Sequence, residues 1–292
     1  MEEKLFFLKI LKAIIMDIQV SKLREKFKGK HYLLTTSDNI TLFLRVWEPP
    51  KKSNKAILIL HGITAHSGPY EMIGKPLSML DYNVFGLDLR GHGLSDGKRG
   101  DYPSIKRLIM DLTETIAFLK QKFSILILLG HSLGVLLAFI AVNYCLEDIN
   151  GLILMSAGTE RKPGVYNPLS TKEKLKILFS SIFSPSKPVI SYKRDGMIGL
   201  DDPLFNFKYT LRFMKILKVF DVKSLKTAEK LKIPLILGVG DQDQIFTVES
   251  AQKLLNEIPG DNKDFFVISG GTHTDFPEEG FVPLINWLKK NF

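Results

Sequence analysis

Residues 124–134, Ser-Ile-Leu-Ile-Leu-Leu-Gly-His-Ser-Leu-Gly, constrain this chain more than any other stretch. The unbroken apolar run from Ile125 to Leu129 reads as a strand buried on both faces, as in the middle of a parallel sheet. Gly130-His131-Ser132-Leu133-Gly134 then matches the pattern G-x-S-x-G, and Val135 to Leu146 continues as an apolar run of helical length. A side chain held at the tip of so sharp a turn draws neighbouring backbone close together. Gly130 and Gly134 are therefore read as positions where a Cβ would collide, and Ser132 as a hydroxyl presented at the strand's carboxyl edge. Alone, such a pattern recurs by chance in roughly one chain in ten of this size, so its weight depends on what surrounds it.

What surrounds it alternates. Ser37-Asp38-Asn39 reads as the turn of a β-hairpin within His31 to Trp47, and strands are expected at Ala56 to Leu60, Tyr82 to Leu87, Gly151 to Met155, Pro234 to Val239 and Phe265 to Ser269. Helices are expected between them at Met72 to Leu80, Ser104 to Lys122 and Val248 to Glu257, with a closing helix at Pro283 to Lys290. Strands alternating with helices predict an α/β fold, a mostly parallel central sheet with helices on both faces. From Thr159 to Leu231 the rhythm breaks into clustered Pro and Gly with amphipathic runs at Leu175 to Phe183 and Phe205 to Phe220, which reads as a helical insertion between two strands. The expected organisation is an amphipathic N-terminal helix over 1–25, a core over 26–158, the insertion over 159–231 and the rest of the core over 232–292.

A chain of 292 residues with 45% hydrophobic content can bury one full core. The net charge of +9 biases encounters toward anionic surfaces, but the lysines are dispersed, with neither zinc-finger spacing nor an RNA-binding aromatic motif, so nucleic acid is not an expected partner. The single cysteine, Cys145, excludes an internal disulfide, reads as a small buried hydrophobe and fits a reducing cytoplasm. Lys9, Lys12 and Asp17 interrupt Leu5 to Val20, so no run approaches the ~20 apolar residues that span a bilayer. Phe7, Ile10, Leu11, Ile14 and Ile18 share one helical face, which either packs on the protein itself or gives residues 1–20 a peripheral membrane contact.

Activating a serine hydroxyl needs a base within reach and a third group that orients the base. Asp241 and Asp243 follow one expected strand and His273 follows another, so both lie at the sheet edge where Ser132 is expected. The order Ser, Asp, His along the chain is that of α/β-hydrolases, which makes Ser132, His273 and one of the two aspartates the candidate catalytic residues. Oxyanion donors are expected from the backbone N–H of Leu133 and of Ile63, the latter in the loop opened by His61-Gly62, where His61 is read as an anchor of that loop.

Gly130 to Gly134, His61-Gly62-Ile63 with His66-Ser67 and Tyr70-Glu71, and Asp88-Leu89-Arg90-Gly91-His92-Gly93-Leu94-Ser95-Asp96-Gly97 together resemble the monoacylglycerol lipase and lysophospholipase group of α/β-hydrolases, over roughly residues 30 to 292. The resemblance implies a serine esterase with a helical cap and no metal or organic cofactor. It implies Asp243 as the acid, because Gly240 to Phe246 is similar to the group's G-x-x-D-x-I-V stretch in that register; Asp241 fits only a register shifted by two residues. The expected substrate is a small carboxylic ester with an apolar acyl group. The cap is the most divergent part and is where substrate contacts are expected, so acyl-chain length is not inherited. Short-chain esterase, thioesterase, peptidase, carbon–carbon hydrolase and perhydrolase chemistry stay open on the same triad, as does a non-catalytic binding role.

Overall fold

The computed structural model describes residues 20–165, 168–193, 197–218 and 231–292. The strands are β1 (His31–Thr35), β2 (Thr41–Trp47), β3 (Lys55–Leu60), β4 (Asn83–Asp88), β5 (Ile125–His131), β6 (Gly151–Met155), β7 (Ile190–Ser191), β8 (Lys208–Tyr209), β9 (Leu235–Gly240) and β10 (Lys263–Ile268). Residues 20–26 are helical (α1), followed by α2 (Glu71–Ser78), α3 (Ile105–Lys120), α4 (Leu133–Cys145), α5 (Thr171–Phe183), α6 (Leu211–Lys218), α7 (Val248–Glu257) and α8 (Val282–Asn291). Eight strands form one sheet in the order β1-β2-β4-β3-β5-β6-β9-β10. It is parallel from β4 to β10, while β2 runs antiparallel to both β1 and β4. This is the α/β-hydrolase fold.

The strands are apolar on both sides because both sides are covered. In β3, Ala56, Leu58 and Leu60 join the cluster under α3, α4 and α7, while Ile57 and Ile59 join the cluster under α2 and α8. The same alternation runs through Leu126, Leu128 against Ile127, Leu129 in β5 and through Leu152, Leu154 against Ile153, Met155 in β6. Helix α4 is apolar nearly all round, burying Leu137, Phe139, Ile140 and Val142.

Several expectations shift in detail. The run from Phe205 to Phe220 is not helical from its start: Lys208 and Tyr209 pair with Ile190 and Ser191 in a two-stranded antiparallel ribbon, and the helix begins at Leu211. Tyr209 is buried, with its ring 5.0 Å from that of Phe213, and local periodicity carries no trace of this pairing with a segment some twenty residues earlier. Cys145 is half-buried at the end of α4 rather than fully buried, and burial pushes its thiol up to about 11. The expected N-terminal amphipathic face lies outside the described residues; of that helix, Arg24 donates to the Leu94 carbonyl at 3.0 Å and to Asp96 at 2.9 Å. Among the described residues no helix is long and apolar enough to cross a membrane.

One buried ionic cluster ties three separate pieces together. Asp111 of α3, with no exposed surface, accepts from Arg90 at 2.8 and 2.9 Å, from Arg107 at 2.7 Å and from the Tyr102 hydroxyl at 2.5 Å. Arg90 also reaches Asp38 in the β1–β2 turn, so the glycine-rich loop after β4 is held to both the hairpin and α3. Asp111→Ala would leave two buried guanidinium groups without their shared carboxylate. It is expected to cost about 3–5 kcal/mol in urea unfolding; a loss under about 1 kcal/mol would contradict this account.

Candidate active site

The ends of β3, β5, β6, β9 and β10 open onto one edge of the sheet. Pairing of Leu60 with Gly130 and of His131 with Met155 sets the loop after β3 and the turn after β5 side by side. Ser132 sits on that turn with φ 55° and ψ −112°, a conformation that costs a non-glycine residue on the order of 1–3 kcal/mol. Close packing imposes it: a Cβ at Gly134 would lie 1.9 Å from the Leu60 carbonyl oxygen, and one at Gly130 would lie 2.4 Å from the Gly134 carbonyl oxygen. The Ser132 N–H is anchored to the Met155 carbonyl at 2.9 Å, so the serine side chain is left pointing off the edge.

His273 Nε2 lies 3.0 Å from Ser132 Oγ, and its Nδ1 lies 2.9 and 3.1 Å from the two carboxylate oxygens of Asp243. Asp243 has no exposed surface and also accepts from the Ile245 and Phe246 N–H groups at 2.7 and 3.0 Å. Burial alone would raise this carboxyl; the His273 hydrogen bond and charge and the two N–H groups outweigh it and hold it below its ordinary value. Asp241 takes a different place, accepting from the Gly270 N–H at 2.8 Å on an exposed turn. Of the two aspartates, Asp243, the one the resemblance implies, is the one that meets His273.

The two expected backbone donors lie in the turn after β5 and the loop after β3. Leu133 opens α4, so its N–H has no intrahelical acceptor. The Gly62 carbonyl is held by the Ala65 N–H at 3.1 Å and by His61 Nδ1 at 2.8 Å, which turns the N–H of the next residue, Ile63, the opposite way across the trans peptide. His61 is fully buried, and its Nε2 accepts from the Leu89 N–H at 3.2 Å, so both ring nitrogens are used in holding backbone.

Two residues of the site escaped the sequence reading. Tyr70 Oη accepts from the Gly62 N–H at 2.8 Å and lies 2.7 Å from His131 Nδ1, while His131 Nε2 lies 2.8 Å from the His273 carbonyl. The available signal was a histidine directly preceding the serine and a tyrosine shortly after His61-Gly62, but neither has a recognisable partner until the loops meet. Burial and the neighbouring His273 push His131 down to about 3, and burial pushes His61 down to about 4.

Above Ser132 the cleft divides. One recess, roughly 850 Å³ with its open mouth, is lined by Met72, Ile73, Ile198, Phe205 and Phe276. The other is lined by Leu133, Leu136, Met214, Leu217 and Phe246, with Arg161 among them. The two meet at Ile63, Ser132, Tyr192 and Ile245. Tyr192, Met197, Ile198, Phe205 and Met214 all come from the chain between β6 and β9. Among the described residues no three His, Cys, Asp or Glu side chains converge in a way that could hold a metal ion.

Burial holds three histidines below their ordinary value, His92 as well as His61 and His131, and the two at the site give stability a pH dependence whose sign His92 shares. The unfolded chain takes up a proton on each near the ordinary 6.5, whereas the folded protein leaves His61 and His131 neutral down to about 4 and about 3. The unfolded state therefore binds more protons over that interval, and stability falls as pH drops below 6.5. Asp243 acts lower still: its contribution is complete above the ordinary 3.8 and disappears as pH falls through its depressed value. Urea midpoints measured from pH 7.5 to 4 should decline steadily below 6.5, and a flat or rising midpoint would refute the buried neutral histidines.

Known proteins resemble this arrangement in sequence and shape. A family model described as serine aminopeptidase, S33, matches residues 51–280. An uncharacterized abhydrolase domain-containing protein of Dictyostelium discoideum is 27% identical over 88% of this chain, and the chain spans only 28% of that protein's length. Monoglyceride lipase of Rattus norvegicus is 24% identical, with 82% of each chain covered. The crystal structure of Paleococcus ferrophilus monoacylglycerol lipase superposes with a TM-score of 0.67 at 23% identity, covering 86% of this chain and 99% of that one. Since the family model extends from the loop before β3 to the turn before α8, across every strand end that carries the site, the chain belongs to the serine aminopeptidase S33 family of α/β-hydrolases.

Proposed function

We propose that this protein is a serine hydrolase of carboxylic esters with an apolar acyl group, acting through Ser132, His273 and Asp243. The observation that carries the reading is the commitment of both His273 ring nitrogens, one to Ser132 Oγ and the other to the buried Asp243 carboxylate. In this mechanism Ser132 Oγ attacks the ester carbonyl while His273 Nε2 takes its proton, and Asp243 stabilises the imidazolium and fixes its tautomer. The tetrahedral oxyanion is met by the Ile63 and Leu133 N–H groups. His273 then protonates the departing alcohol, and a water activated by the same imidazole releases the acid from the acyl-enzyme.

The family name raises peptide hydrolysis as another use of the same groups. An aminopeptidase must hold the substrate's α-ammonium, and among the described residues none that lines the two recesses is Asp or Glu. The apolar lining favours an ester with a hydrocarbon chain, of the kind named for the rat and P. ferrophilus relatives. The segment from 159 to 231 serves as the cap: it brings Ile198, Phe205 and Met214 over Ser132 and excludes water from the acyl chain. An acyl lipid is the natural partner of such a cleft, with contact at a membrane surface and a cytoplasmic location fitting that role.

Ser132→Ala should lower kcat on p-nitrophenyl esters by more than about 10³-fold and abolish labelling by a fluorophosphonate. Retention of a tenth of wild-type activity would end the assignment. In the same assay Asp243→Asn should be far more damaging than Asp241→Asn; reversed severities would move the acid to Asp241. For the substrate class, kcat/KM should rise over several acyl carbons, each buried CH₂ contributing up to about 0.8 kcal/mol, and then level or fall where the recess ends. A decline from acetate upward would instead indicate a short-chain esterase or perhydrolase.

A further inference from the structure

The hydrogen-bond chain through Tyr70 and His131 can run in only one direction. The His273 carbonyl can only accept, so His131 Nε2 carries the proton of that 2.8 Å bond. His131 is held neutral by burial, so its Nδ1 must be an acceptor, and the Tyr70 hydroxyl 2.7 Å away donates to it. The Tyr70 oxygen in turn receives the Gly62 N–H at 2.8 Å. Burial also raises the phenol, which therefore keeps the proton this arrangement requires. The whole path is buried and every donor on it has one acceptor.

The two ends of this path are the two places where sub-ångström placement decides an acyl transfer. At one end, Tyr70 holds the N–H of the His61–Gly62 peptide while Ala65 and His61 hold the carbonyl of the Gly62–Ile63 peptide, so the peptide units on both sides of the Gly62 Cα are tied. The second of these peptides supplies the Ile63 N–H assigned above to the oxyanion. At the other end, His131 holds the His273 carbonyl while Gln244 Oε1 accepts from the His273 N–H at 3.2 Å, so the backbone of the base is gripped on both sides. His131 adjoins Ser132 in the chain, and a Cβ placed on Gly62 would lie 3.4 Å from His131 Nδ1 and 3.6 Å from both Ser132 Cβ and Tyr70 Oη. Oxyanion loop, nucleophile turn and base loop are thus gauged against one another by a single path.

We propose that Tyr70 and His131 are a positioning pair that holds the Ile63 N–H and the His273 imidazole in register with Ser132 Oγ. Both side chains reach the wall of the recess, with their polar atoms engaged by Gly62, by each other and by the His273 carbonyl. The proposal rests on the triad reading above, and Ser132→Ala in the same assay keeps the two separable.

Tyr70→Phe removes only the hydroxyl, and His131→Phe removes both ring nitrogens at similar volume. Each should lower kcat on a soluble p-nitrophenyl ester by about 10- to 100-fold with KM changed less than about threefold, the size of effect that follows from misplaced reacting groups. Because one path is broken once, the Tyr70→Phe/His131→Phe double variant should be no worse than the poorer single variant, whereas two independent packing defects would multiply. His131→Gln retains an N–H for the His273 carbonyl and should recover at least tenfold over His131→Phe, a rescue that a purely space-filling role does not predict. If Ser132→Ala is inactive while both single variants stay within threefold of wild type, or if the double variant shows the product of the single losses, the positioning pair is refuted and the triad stands. If Ser132→Ala retains activity, the triad reading itself fails. Should His131→Phe not fold, Tyr70→Phe and His131→Gln carry the same comparison.

Discussion

The approach of helix α4 to the Leu60 carbonyl is the constraint from which the rest of the site follows. Only a residue without a Cβ fits at Gly134, and with the helix that close the chain between β5 and α4 must turn through the left-handed conformation of Ser132. The strain of that turn is on the order of 1–3 kcal/mol. Burial of Leu137, Phe139, Ile140 and Val142 beneath the same helix, at about 1.5–3 kcal/mol each for a fully buried side chain, outweighs it. The serine is therefore held in place by the packing of a helix whose buried face lies well away from the chemistry.

Burial acts differently on the histidines clustered around that serine. His61 and His131 each use both ring nitrogens on uncharged backbone or tyrosine partners, and without a carboxylate contact burial leaves them neutral. His273 faces the Asp243 carboxylate, itself secured by two backbone N–H groups. Keeping His131 neutral also matters to its neighbour, since the two rings lie 5.2 Å apart and a second cation there would oppose an imidazolium. One kind of side chain thus holds backbone at two positions and is set against a carboxylate at a third.

The chain between β6 and β9 is fastened to the oxyanion loop rather than resting on it. The Tyr209 hydroxyl and His92 Nε2 both reach the Ile63 carbonyl, the Asn206 N–H donates to the Thr64 carbonyl at 2.9 Å, and Asp202 meets His66 Nε2 at 3.0 Å. His92 comes from the glycine-rich loop that Arg90 and Asp111 secure to α3. The residues that line the cleft above Ser132 and the loop that carries the Ile63 N–H consequently share one set of hydrogen bonds, and a displacement of either is transmitted to the other.

Much of this was readable in order along the chain. Period and turn chemistry are local, so the strands, the elbow at Gly130 to Gly134 and the placement of Ser132, the two aspartates and His273 at one edge followed from the sequence and its resemblance. The ribbon of Ile190–Ser191 with Lys208–Tyr209, the half-exposure of Cys145 and the path through Tyr70 and His131 did not, because each depends on which distant segment arrives alongside. The choice between Asp241 and Asp243 shows the division most clearly. Both carboxylates stand after the same strand, and the sequence by itself determined that one of them could serve an edge carrying a serine and a histidine. The resemblance of Gly240 to Phe246 favoured Asp243, and the physical reason lies in the tertiary structure alone: the turn after β9 sends Asp241 to the Gly270 N–H in solvent and folds Asp243 inward against His273, where burial makes a paired carboxylate far more favourable than a free one.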